Sequence, residues 1–155
     1  MFVSNILRTK GTEIHRIDPN ATADNAVEEL VKYNVGSLVV CELDEDGESR
    51  MVGIITERDL LRAQAARPKP LNQLLVREVM SSNVITLSLE GTLHDAMGMM
   101  TQHRIRHLPV MNEDQMRGII SIGDIVKAHH DELEMENHYM KSYIQGEGAD
   151  VGTLL

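Results

Sequence analysis

Two short stretches of the chain run from a glycine-containing apolar segment into a hydroxyl residue three positions ahead of an aspartate: Thr56-Glu57-Arg58-Asp59 and Ser121-Ile122-Gly123-Asp124. Each follows a mainly apolar run with one glycine, Val52-Gly53-Ile54-Ile55 and Arg117-Gly118-Ile119-Ile120. A hydroxyl followed three residues later by an acid makes a helix capping box, in which both side chains satisfy N–H groups that the first turn leaves unpaired. The same constellation has a second capacity. A carboxylate at a helix start can accept hydrogen bonds from ligand hydroxyls, while the hydroxyl side chain and first-turn amides face an anion that the helix dipole favours. One copy would say little; two copies in matching surroundings imply two related sites.

A third stretch, His103-Arg104-Ile105-Arg106-His107, concentrates basic and titratable groups in a chain of net charge −9. Cations oppose the dipole at a helix C-terminus, which accounts for His103 and Arg104 behind a helix expected to start at Thr92. It accounts less well for Arg106 and His107, which open the apolar strand Leu108-Pro109-Val110. A guanidinium there offers bidentate phosphate recognition. A pair of unit charges about 4 Å apart is worth about 1 kcal/mol in water and about 4 at an effective dielectric of about 20. The cluster is therefore useful only in a partly enclosed cleft, with Arg104 or Arg106 on the phosphate. The matching stretch Asn34-Val35-Gly36-Ser37 has no cation, so the two sites are expected to bind with unequal affinity.

The elements that must position these residues are legible as a repeat. Sliding the chain by 70 places sets Thr22 on Thr92, Ala26 on Ala96, Val35 on Ile105, Leu38 on Leu108 and Val40 on Val110. After Val40 the offset falls to 65, and the difference lies in residues 42–50, where Asp46-Gly47 reads as a hairpin turn. Each copy reads as a short strand (13–17; 84–87), a helix opened at Thr22 or Thr92, two strands, and a helix after Thr56 or Ser121. Pro68-Lys69-Pro70 ends the first copy, because neither proline can donate a backbone hydrogen bond. This divides the chain into residues 1–70 (first repeat with an N-terminal leader), 71–128 (second repeat), 129–145 (a helical extension with Leu133, Met140 and Ile144 on a packing or dimer-contact face) and 146–155 (a disordered tail). A repeat of about 60 residues buries only about 60 % of its surface. The two are therefore expected to pack face to face as one pseudo-symmetric α/β body.

Composition narrows the function. Net charge −9 and a pI near 5.2 disfavour nucleic acid, whose binding needs a basic face. No run reaches the roughly 18 apolar residues of a membrane span. Cys41 is the only cysteine, so no disulfide forms within the chain and a reducing cytosol is the default compartment. Met1-Phe2-Val3-Ser4 opens no signal segment, and a cytoplasmic protein is expected. With Phe2, Tyr33, Tyr139 and Tyr143 as the whole aromatic set, a flat ligand would sit between aliphatic side chains. His129-His130-Asp131 lacks the spacing of a helical zinc site. No nucleophile–base pair, glycine-rich phosphate loop or metal-ligand spacing occurs, so neither an enzyme nor a required cofactor is expected.

Two copies of Gly-Ile-Ile-(Thr/Ser)-x-x-Asp, each behind a Leu-x-Val strand, resemble a tandem cystathionine-β-synthase (CBS) domain pair. His103-Arg104-Ile105-Arg106-His107-Leu108-Pro109-Val110 is similar to the second repeat of such pairs, and the resemblance spans residues 6–127. It implies an accessory regulatory module that binds adenosine-containing ligands (AMP, ADP, ATP, S-adenosylmethionine or NAD(H)) in clefts between the repeats, with Asp59 and Asp124 on ribose hydroxyls. It also implies that Ser121 and Asp124 draw on Arg106 and His107, with Ile14, Val35 and Gly36 around the base. Thr56 and Asp59 would draw on Arg58 and Arg104, with Val84 and Ile105 at the base. The resemblance further implies a homodimer whose output goes to a separate partner protein or through self-association. The alternative is a dimeric interaction protein that tunes a partner enzyme without any ligand.

Overall fold

The computed structural model describes residues 1–67 and 69–153, with side chains for 1–67 and 69–145. Of the tail expected to be disordered from Gly146 only the backbone is described, and it is helical as far as Thr153. Two three-stranded sheets carry the fold, β1-β2-β3 and β4-β5-β6, each with its first pair parallel and its second antiparallel. The strands are β1 (Arg16–Ile17), β2 (Ser37–Leu43), β3 (Ser49–Thr56), β4 (Leu87–Ser88), β5 (His107–Asn112) and β6 (Gln115–Ser121). The helices are α1 (Val3–Lys10), α2 (Ala23–Tyr33), α3 (Glu57–Ala66), the single-turn α4 (Val76–Val79), α5 (Leu93–His103) and α6 (Ile122–Thr153). The mixed α/β class and the strand–helix–strand–strand–helix order expected from the sequence are both present.

The repeat holds at the level of single hydrogen-bonded rungs. Ile17 pairs with Val40 and Leu87 with Val110; Gly53 faces Val40 and Gly118 faces Val110. Both hairpins slip register at the same place, between Val40 and Cys41 and between Val110 and Met111. Their turns account for the change of offset. In the first, the Gly47 N–H donates to the Asp44 carbonyl with Gly47 at φ 78°, whereas in the second Asn112 pairs directly with Gln115. Helices α2 and α5 start alike: Thr22 accepts the Asn25 N–H at 3.1 Å and Thr92 accepts the Asp95 N–H at 3.1 Å. They also end alike, on left-handed residues, Asn34 at φ 52° and Arg104 at φ 54°.

Contacts within the chain group it differently from a linear division at residue 70. One unit is Glu13–Ile85; the other joins Met1–Thr12 to Thr86–Leu155. The leader thus belongs to the unit of the second repeat, and residues 71–85 stay with the first. Both segments do the same job at an offset of 73. Leu75 bridges Thr22 while Phe2 bridges Thr92; the Val76 N–H donates to the Ala21 carbonyl and the Val3 N–H to the Gly91 carbonyl, each at 2.8 Å. Asn5 accepts the Phe2 N–H as Glu78 accepts that of Leu75. Val3 and Val76 are fully buried. Each repeat is therefore closed by an apolar segment that lies directly ahead of the other repeat in the chain.

In the unit Glu13–Ile85 that core is built from Ile17, Ala26, Leu30, Leu38, Val40, Ile55, Leu60, Leu74 and Val76. In the other unit Val3, Ile6, Leu7, Leu87, Ala96, Met100, Leu108, Val110, Ile120 and Ile125 are the matching buried set. Glycine is required where the extra segments cross the hairpins. A Cβ on Gly53 would stand 2.6 Å from the Met80 sulfur and 2.9 Å from the Ser81 carbonyl, and one on Gly118 would stand 2.8 Å from Leu7 Cδ2.

Candidate functional site

In each unit the hydroxyl and the aspartate meet at one place, where the last residue of a hairpin becomes the first turn of a helix. Thr56 ends β3, pairs with Ser37 and caps α3. Its hydroxyl accepts the Asp59 N–H at 3.3 Å, while Asp59 Oδ2 accepts the Thr56 N–H at 3.0 Å and its hydroxyl at 3.2 Å. The other carboxylate oxygen accepts the Ser81 hydroxyl at 3.2 Å. Ser81 arrives because its backbone N–H and carbonyl pair with Ile54 next to the same strand end. The Glu57 N–H donates to the Gly36 carbonyl at 3.2 Å, which brings Val35 and Gly36 to the start of α3. Thr56 and Asp59 are half-buried and Arg58 is exposed on the first turn.

The second unit repeats this at Ser121, which pairs with His107 at the end of β6. Asp124 Oδ2 accepts the Ser121 N–H at 2.8 Å and hydroxyl at 2.9 Å, and the Asp124 N–H returns to the Ser121 hydroxyl at 3.3 Å. The Ile122 N–H donates to the Arg106 carbonyl at 2.8 Å, the counterpart of the Gly36 contact. Arg106 and His107 therefore stand beside the start of α6, where the sequence spacing sets them. Arg104 instead caps α5, its N–H bonded back to the Met100 carbonyl, and Ile105 follows with the same bond. The capping-box reading and the ligand-facing reading thus use the same atoms. Of the remaining expected residues, Ile14 and Val84 lie half-buried ahead of β1 and β4.

One partner of the second site has no forerunner in the sequence pattern. Lys10, at the end of α1, reaches Asp124 Oδ2 at 2.6 Å and the Ile119 carbonyl at 2.8 Å. Burial by itself would raise the pKa of Asp124, but the hydrogen bonds from Lys10 and Ser121 and the lysine charge outweigh it and hold the carboxyl below its ordinary value. A carboxyl depressed in the folded state contributes stability that is present above its unfolded pKa of about 4. That stability disappears as pH falls through the lower folded value. Thermal unfolding followed by circular dichroism should show stability falling below about pH 4, with Lys10→Met flattening that acid limb. An identical limb in the variant would contradict the role given to Lys10.

Lys10 and Ser81 are the site residues that sequence reasoning missed. Ser81 follows Met80 as Arg8 follows Leu7, so a search at offset 73 would have led to both segments. No local pattern singles out Lys10. Among the described residues, no group of three or more His, Cys, Asp or Glu is placed to hold a metal ion. None of the described helices is long and apolar enough to cross a membrane.

Comparison with known proteins adds the family context. The model of the CBS domain matches residues 3–66 and again 76–131. The chain is 35% identical over 150 residues to the CBS domain-containing protein CBSX3, mitochondrial, of Arabidopsis thaliana, covering 93% of this chain and 72% of that protein. It superposes with a TM-score of 0.68 on the CBS domain protein PAE2072 from Pyrobaculum aerophilum, solved with AMP, at 30% identity over 80% of this chain and 89% of the other. The CBS domain pair of protein MJ0100, solved with 5'-methylthioadenosine and S-adenosyl-L-methionine, superposes with a TM-score of 0.70 at 26% identity, over 85% of this chain and 98% of the other.

Proposed function

The chain belongs to the CBS domain family, and from that premise we propose that it is a regulatory, non-catalytic module that binds an adenine nucleotide, AMP, ADP or ATP. One observation carries this reading: hydroxyl, aspartate and helix start are assembled twice, at the same rung of two hairpins. The ligands of the two solved relatives share an adenosine core, which supports the ligand class. In the proposed pose Asp59 and Asp124 accept ribose hydroxyls, and Thr56, Ser121 and the first-turn amides face the phosphate. Arg58, Arg104, Arg106 and His107 supply cations for it, while Ile14, Val35, Gly36, Val84 and Ile105 contact the base. The two sites are unequal, because Asp59 is paired with a neutral serine and Asp124 with a lysine.

A ligand shifts only an equilibrium whose two states bind it differently. Here the states would be alternative surfaces of a cytoplasmic homodimer, read by a partner protein. Thermal unfolding of the purified chain tests the proposal. A nucleotide at about 100 times its dissociation constant adds about 2.7 kcal/mol to the folded state, so AMP or ATP should raise the melting temperature by several degrees. No rise with AMP, ATP, S-adenosylmethionine or NADH would remove the proposal. A second reading, a ligand-independent interaction protein, is favoured by the exposed Leu133, Met135, Tyr139, Met140 and Ile144 of α6.

A further inference from the structure

We infer that Lys10 makes the Ser121–Asp124 site select phosphorylated nucleosides over uncharged ones. This deepens the nucleotide reading above and rests on it. Three donors converge on Asp124 Oδ2: the Ser121 N–H at 2.8 Å, the Ser121 hydroxyl at 2.9 Å and the Lys10 ammonium at 2.6 Å. Only the last comes from outside the cap. The pair is partly covered, with side-chain exposures of 33% for Lys10 and 21% for Asp124. The base of the lysine is held firmly, since α1 is anchored by buried Val3, Ile6 and Leu7, with Leu7 lying against Gly118. Its four-carbon stem has rotatable bonds, and its ammonium also donates to the Ile119 carbonyl at 2.8 Å.

Ribose hydroxyls that take Asp124 exchange a cationic donor for neutral ones. An uncharged nucleoside therefore breaks an ion pair and leaves the ammonium with the Ile119 carbonyl and water. A nucleotide breaks the same pair but brings a phosphate to which the freed ammonium can turn, so the charge is compensated. The exchange involves hydrogen bonds and ion pairs only. The Thr56–Asp59 site differs, because there the displaced donor is the neutral Ser81 hydroxyl at 3.2 Å. Discrimination by exchange of an ion pair at the aspartate is thus built into one site and not the other.

Calorimetric titration of the full chain with AMP and with adenosine tests this in an Asp59→Ala background, which silences the first site. Circular dichroism and thermal unfolding verify that each variant is folded. AMP should bind about tenfold more tightly than adenosine, because both break the Lys10–Asp124 pair and only AMP brings a phosphate to the freed ammonium and to Arg106 and His107 beside it. Lys10→Met should shrink that ratio by about threefold or more, chiefly because adenosine gains, while Lys10→Arg keeps the preference. An AMP-to-adenosine ratio untouched by Lys10→Met overturns the selector and leaves the nucleotide reading standing. Binding by the unsubstituted chain that vanishes with Asp59→Ala also overturns the selector, because the second site would then be empty. If the unsubstituted chain binds neither AMP nor adenosine, the nucleotide reading fails, and the selector with it.

Discussion

Leu7→Ala is expected to destabilise the protein by about 3 kcal/mol, the ordinary cost of deleting a buried leucine, although residue 7 lies in what reads as a leader. Leu7 is 4% exposed and its side chain is the nearest neighbour of Gly118. Removing it leaves a cavity beside a hairpin whose glycine has no side chain to fill the gap. For a chain of this size about 3 kcal/mol lowers the melting temperature by roughly 6–12 °C. Arg8→Ala, one residue on and exposed, should stay within about 0.5 kcal/mol of the parent. Equal melting temperatures for Leu7→Ala and Arg8→Ala would mean that the leader does not close the core of its unit.

The second large effect concerns binding. Asp59→Ala and Asp124→Ala each remove a carboxylate that the proposed pose places on two ribose hydroxyls. Charge-assisted hydrogen bonds of this kind are worth about 1.5 kcal/mol or more apiece, so each substitution should weaken its own site by about 100-fold. Loss of the cap costs about 1 kcal/mol of stability in either case, and at Asp124 it also frees Lys10. The double variant should therefore melt a few degrees below the parent and show no rise with AMP or ATP. Because the cap penalty is already present without ligand, the quantity to compare is the ligand-induced shift, not the absolute melting temperature. A nucleotide-induced shift of the same size in the double variant would exclude these aspartates as ribose contacts. If the nucleotide response is lost while capture of a binding partner persists, the ligand and partner surfaces are separate.

How legible each part was depends on how local its cause is. The offset of 70, dropping to 65 beyond Val40, foretells that the two hairpins match, and their registers agree even in irregularities at Cys41 and Met111 that no sequence pattern announces. Capping boxes at Thr56 and Ser121 are equally readable, because a cap joins residues three apart. The short parallel strands were harder. Residues 13–17 and 84–87 suggested them, yet the ladders form at Arg16–Ile17 and Leu87–Ser88, where a neighbouring strand lies alongside. Arg104 carries both readings of the basic run: its backbone turns left-handed to end α5, and its guanidinium stays among the cations proposed for the phosphate.

The sequence alone thus determined the duplication, the α/β class, the helix starts and the pair of hydroxyl–aspartate caps, since each is written in spacings of two to four residues or in an exact internal copy. Only the tertiary structure decided that the leader completes the second repeat, that residues 71–85 complete the first, and that Lys10 faces Asp124 across 114 positions of chain. The reason is physical. Periodicity and capping are set by neighbours along the chain, whereas the closing of a core and the pairing of distant charges depend on which surfaces remain uncovered once the sheets have formed.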